Sequence, residues 1–139
     1  MNASSQAPIT DFMYRYCAAF RPGNVAEIVS FFHCPLTFLH GGTPHVFASQ
    51  ANLQVLFGDL LAALAQRNFK ASKLDCLNCV EVANGVFFVS ATFTRYATSG
   101  DILERVGATY TVTRTGGDFK IAAVVAHDAE AVITFAMQK

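Results

Sequence analysis

Val80-Glu81-Val82-Ala83-Asn84-Gly85-Val86-Phe87-Phe88-Val89 decides how this chain folds. Short β-branched and aromatic runs flank Asn-Gly, a dipeptide that readily takes the positive φ angles of a two-residue hairpin loop. Gly116-Gly117 repeats the signal between Ala108-Thr109-Tyr110-Thr111-Val112-Thr113 and Phe119-Lys120-Ile121-Ala122-Ala123-Val124-Val125. Together they predict a four-strand antiparallel meander over Lys73–His127. Two-residue loops also set the register: Val82 should lie opposite Phe87, Val80 opposite Val89 and Cys76 opposite Phe93. The face that carries Leu74, Cys76, Asn78, Val80, Phe87, Phe93 and Arg95 is the more apolar and should turn toward the helices. In the second hairpin the same reasoning sends Glu104, Val106, Tyr110, Ile121 and His127 inward and Thr109 and Val124 outward. It also sets Arg105 opposite Asp128 as a cross-strand ion pair.

Upstream of the meander the periodicity changes to that of helices. Ile9, Phe12, Met13, Tyr16, Cys17 and Phe20 fall on one helical face, with Tyr16 near its middle and Tyr14 toward its flank. Residues 1–8 read as a flexible tail. Arg21-Pro22-Gly23 breaks the helix, and Asn24 with Glu27 has the spacing of a capping box for a second one, which Cys34-Pro35 should end. Leu36–His40 is a short strand with Leu36, Phe38 and His40 on one face, and His45-Val46-Phe47 a brief return. Ser49 caps a third helix, whose stripe is Leu53, Leu56, Phe57, Leu60, Leu61 and Leu64; Gly58 within it suggests close backbone packing. Asn68 is its stop, and residues 129–139 are ambiguous between strand and helix.

At 139 residues the chain is a single domain, 1–139. Its hydrophobic fraction of 53% against 14% charged residues exceeds what one small core absorbs, which implies a subunit interface, an apolar cavity or both. Leu77, Phe88, Ala122 and Val124 among threonines on the outer sheet face suit a homodimer. Ten basic and ten acidic residues balance without runs, so no footprint for nucleic acid or an anionic membrane is present. The longest apolar run, Ile121–Ala126, is too short to span a bilayer. Met1–Thr10 lacks the basic and apolar regions of a secretory signal, and the expected location is the cytoplasm.

Cys76-x-x-Cys79 lies in a strand pattern, where residues three apart point to opposite faces, and no second ligand pair stands at metal spacing. The four cysteines therefore read as small hydrophobes, and His33 and His45 as surface residues. No metal site and no cofactor motif is expected.

The order of elements, together with Asn24-Val25-Ala26-Glu27-Ile28-Val29-Ser30-Phe31-Phe32, Pro35-Leu36-Thr37-Phe38 and Tyr110-Thr111-Val112-Thr113-Arg114, resembles the nuclear transport factor 2-like superfamily. That group includes ketosteroid isomerases, scytalone dehydratase and SnoaL-like polyketide cyclases. The resemblance implies an α+β fold: a cone-shaped, curled antiparallel sheet with three helices from the N-terminal half on its concave face and a pocket between them. In the isomerases a first-helix tyrosine and a protonated sheet aspartic acid polarise a ketone, and a further aspartate shuttles the proton. Tyr16 matches the tyrosine, and His40 stands nearest the proton shuttle. The sheet aspartic acid has no counterpart, since Val106-Gly107-Ala108 occupies its place, so steroid isomerisation itself is not expected.

The candidate site follows. His40, Tyr16 and His127 are the candidate catalytic groups, with histidine as base and the tyrosine hydroxyl stabilising an enolate. Arg95, Tyr110, Asn78, Glu104, Phe38 and Phe93 are candidate ligand contacts; Arg95 on an apolar face requires an anionic partner, either Glu104 or a ligand carboxylate. The expected partner is a small apolar or aromatic molecule, handled without a cofactor if the protein is an isomerase, dehydratase or cyclase. The alternative is a non-enzymatic dimerising or ligand-sensing module whose cone is filled by its own aromatic side chains.

Overall fold

The protein is described by a computed structural model over residues 3–135. Helix α1 (Ala3–Ala19) buries Ile9, Phe12, Met13, Tyr16 and Cys17 along one stripe, while Tyr14 is exposed. It begins at Ala3, so most of the expected tail is helical; no glycine interrupts Ala3–Ala7, and Pro8 forgoes one helical hydrogen bond without ending the helix. Asn24 does not cap α2 (Val25–Val29). Its side-chain Nδ2 donates instead to Ala19 O at 2.8 Å and to Glu27 Oε1 at 3.3 Å, and its backbone N–H donates to Arg21 O at 3.2 Å, so neither reciprocal bond of a capping box is made. α2 is also shorter than its pattern suggests. Phe32 already belongs to strand β1 (Phe32–His40), because an apolar Phe-Phe pair satisfies a strand as well as a helix and another strand is there to pair with it.

β2 (Thr43–Phe47) pairs back on β1, and α3 (Gln50–Ala65) follows, its first turn capped by Ser49 accepting from Asn52 N–H at 3.2 Å. Leu53, Phe57, Leu61 and Leu64 are buried. Gly58 has no atom within 4 Å of where a Cβ would sit, so it marks no close packing. Asn68 ends the segment in the left-handed region, φ 60°.

The meander consists of β3 (Phe69–Ala83), β4 (Val86–Ala97), β5 (Ile102–Thr115) and β6 (Asp118–His127). It lies in an open six-stranded sheet of order β2-β1-β6-β5-β4-β3, closed into one layer by a parallel pairing of β1 with β6. Both hairpin loops have the expected two residues, with Gly85, Gly116 and Gly117 all at positive φ.

Three β-bulges break the expected register. The first hairpin pairs Ala83 with Val86 but Glu81 with Phe87, so Val82 is an extra residue and the pairing slips by one: Val80 meets Phe88 and Cys79 meets Val89. A one-residue slip exchanges the faces, turning Leu77 and Cys79 inward and Asn78 and Val80 outward. A second irregularity at Asp75 restores Leu74 to the inner face, opposite Phe93, while Cys76 lies outward opposite Thr92. In the second hairpin Val112 pairs with Ile121 as expected, then Ala122 is skipped, so that Tyr110 faces Val124 and Gly107 faces His127. Val124 is therefore buried, whereas Val125 and His127 lie outward, and Arg105 pairs with Thr94 rather than meeting Asp128. These bulges add local twist and bend, which a sheet needs to wrap around helices.

Beyond β6 a 3₁₀ turn (Ala129–Ala131) leads into residues 132–135, which are neither strand nor α-helix. They cross the outer face: Asn78 Nδ2 donates to Ile133 O, and Ile133 N–H donates to Ser90 Oγ, each at 2.8 Å. Among the described residues no helix is long and apolar enough to cross a membrane.

Candidate functional site

Between α1, α3, β1 and the inner face of β3–β6 lies a cavity of about 270 Å³. Its apolar wall comes from Phe20, Phe32, Phe57, Phe93, Val106 and Val124, and its polar groups are Tyr16, Tyr110, Arg95, Ser72 and His40. The mid-stripe position of Tyr16 on α1 points it at β5, where Tyr110 projects from the same rung as Val124. Their rings meet edge-on, centroids 5.7 Å apart, and Phe20, Phe31 and Phe32 complete a cage around Tyr16 at 5.0–5.7 Å.

Burial raises the Tyr16 phenol well above its ordinary value, and the Tyr110 hydroxyl turned toward it and the Arg95 charge offset only part of that. Tyr110 is raised by burial and by its contact with Tyr16. Both phenols therefore remain protonated donors at neutral pH, the state that can hydrogen-bond a carbonyl or an enolate oxygen. Cys17 beside them is pushed up to about 11, first by burial and then by the Asp75 charge, and is no nucleophile.

Among the described residues Arg95 is the one charged residue of the wall. It occupies a rung with Ser72 on β3 and Glu104 on β5, and it is ion-paired with Glu104. Glu104 also receives Arg67 Nη1 at 2.9 Å. Burial alone would raise the Glu104 carboxyl, but hydrogen bonds and attraction from the two arginines outweigh it and hold the group below the usual glutamate range. Glu104 thus meets the cavity only through Arg95. His40, at the end of β1, is exposed and lines the mouth beside Phe38, ring centroids 6.4 Å apart.

Of the residues singled out from the sequence, the fold brings Tyr16, His40, Arg95, Tyr110, Phe38 and Phe93 together. Asn78 and His127 lie on the opposite face because of the bulges at Val82 and Ala122. His127 Nδ1–H donates to Asp128 O and Nε2 accepts from the Thr109 hydroxyl, each at 2.8 Å; Thr109 in turn contacts Ser90 at 2.9 Å. That chain ends at the Ile133 amide, so His127 fastens residues 129–135 to the sheet. Ser72, Phe32 and Phe57 are wall residues that the sequence reading did not select. Ser72 lies just outside the stretch read as strand, and the two phenylalanines look like ordinary helix-stripe residues. Among the described residues no three His, Cys, Asp or Glu side chains gather as a metal site would require.

The profile of a family described as NTF2-like protein (DUF6841) matches residues 5–129. The chain belongs to the NTF2-like family. Solved structures share the fold. Aln2 from a Streptomyces species superposes with a TM-score of 0.72 at 16% identity over 94% of both chains. A Nostoc punctiforme protein of unknown function with a cystatin-like fold gives 0.71 at 9% identity over 91% of this chain and 92% of its own. A Catenulispora acidiphila protein in complex with S-DNPA gives 0.68 at 13% identity over 90% and 95%. At such identities the likeness is one of fold. No curated protein matches the chain.

Proposed function

We propose that this NTF2-like domain binds a small, mostly apolar organic molecule in the cavity between its helices and sheet. The observation that supports this most is the pair of buried, protonated hydroxyls of Tyr16 and Tyr110 facing one apolar hollow, a combination that a purely structural core has no need to keep open. The volume left between the phenylalanines weighs against a cone filled by its own side chains. The similar Catenulispora protein was solved in complex with S-DNPA, which agrees with this use of the fold.

The reaction class that suits these groups is cofactor-free proton transfer: isomerisation, dehydration or aldol-type cyclisation. His40 at the mouth would take a proton from carbon next to a carbonyl, and the Tyr16 hydroxyl would donate a hydrogen bond to the resulting enolate oxygen before the proton returns. Enones and aromatic ketones are the probes to use. Binding should raise the melting temperature and shift the NMR signals of Tyr16, Tyr110 and His40. A panel that produces neither change would end this reading.

We also propose a homodimer in the cytoplasm. Phe88 and Val125, 41% exposed each, lie on the outer face that residues 132–135 cross, where Ile133 is 45% exposed, and the bulged Val82 is 47% exposed. A second copy would cover them, and a net charge of zero offers no repulsion. Sedimentation at micromolar concentration should show two chains, and Phe88→Lys should leave one; a wild-type protein that sediments as one chain excludes the dimer. All four cysteines are unpaired, which suits a reducing compartment, and cell fractionation is the direct check.

A further inference from the structure

The wall rung Ser72–Arg95–Glu104 carries an uneven charge count. Two guanidinium groups, Arg67 and Arg95, share one carboxylate, so the cluster retains one positive charge. Arg67 is the more solvated partner, with 45% of its side chain exposed against 16% for Arg95, and it also donates to Leu103 O at 3.0 Å. The charge that water screens least is thus that of Arg95, the residue facing the cavity. A guanidinium has five N–H donors, and among the described residues only its Nη1 meets an acceptor, Glu104. Ser72, directly across the strands, adds a hydroxyl to the same patch of wall. One rung deeper the wall turns apolar at Phe93 and Val106, and the tyrosine hydroxyls follow beyond it.

We propose that the molecule bound in this cavity is an aromatic carboxylic acid or an equally acidic analogue, with its anion on Arg95 and Ser72 and its ring among the phenylalanines. This rests on the binding reading above and narrows it from apolar molecules in general to those with one negative charge at one end. A planar carboxylate matches the fork of an arginine, and a site with low exposure strengthens that pairing. Glu104 competes with the ligand for Arg95, which gives the arrangement a signature that a plain structural ion pair lacks: removing Glu104's charge should improve binding.

The test is calorimetry with two probes of matched shape, 2-naphthoate and 2-naphthamide, on the full chain. In the wild type the acid should bind at least tenfold tighter than the amide. Arg95→Met should abolish that preference by weakening the acid far more than the amide, whose carbonyl can also accept from the guanidinium, while Glu104→Gln should tighten the acid severalfold and change the amide by less than about twofold. Arg95→Lys, which keeps the charge but loses the fork, should weaken the acid partially and serves if the methionine variant does not fold. Equal affinity for acid and amide in the wild type overturns the charge assignment and leaves the pocket reading standing, as does a preference that survives loss of Arg95. Failure of both probes to bind overturns the two together.

Discussion

Replacing Phe87 by alanine should lower the stability of the fold by about 3–5 kcal/mol, the usual loss for a large aromatic removed from a core. Phe87 is fully buried at the centre of the inner face, pairs with Glu81 and Val112 across its strands, and meets the Phe119 ring at 5.6 Å. Arg114 lies over both rings, 5.9 and 5.6 Å from their centroids, and shields that end of the core from water. Strand neighbours hydrogen-bonded on both sides cannot collapse into the space, so most of the cavity cost should persist. Chemical denaturation of the variant and the wild type provides the comparison. A loss below about 1 kcal/mol, outside the range for such a truncation, would mean that this face is not the core.

Gly107→Ala should cost roughly 1–3 kcal/mol, as overpacking does, although alanine is the better strand residue elsewhere. A Cβ there would come within 2.7 Å of Asp128 O and 2.8 Å of His127 Nδ1. Neither atom can yield cheaply, since the carbonyl is backbone and accepts from the same imidazole, whose other nitrogen is held by Thr109. The substitution should therefore pry residues 129–135 from the outer face before it disturbs the helices. Hydrogen exchange at the Ile133 amide is the sensitive readout, because that N–H is bonded to Ser90. A variant that melts with the wild type and keeps this amide protected would contradict the account of the clasp.

Gly107 also shows where sequence reading stops. A glycine inside a strand run signals that something passes close, but not what passes. The alternation around Asn84-Gly85 identified the meander and the inner-face residues of β4, and the helical stripe of α1 placed Tyr16. Asn78 and His127 were misplaced for a single reason: bulges at Val82 and Ala122 depend on how far the sheet must bend around its helices, which is a property of the whole fold. The ion pair of Arg95 with Glu104 was readable as one of two options because it spans neighbouring strands. Arg67 lies outside the meander, and nothing local connects it to Glu104.

Phe32 lies in register with Ile121, whose N–H donates to Phe31 O at 2.9 Å, so β1, the first of the described strands, waits for β6, the last. Until β6 emerges, one edge of β1 has no neighbour, and the floor of the cavity near Phe38 and Val124 does not exist. Closure must therefore follow synthesis of β6, at the slow rates typical of distant pairings, and in that interval the bare edge is open to other unfinished chains. Expression at lower temperature, which slows such encounters, should increase the yield of soluble protein more than any change to the finished surface.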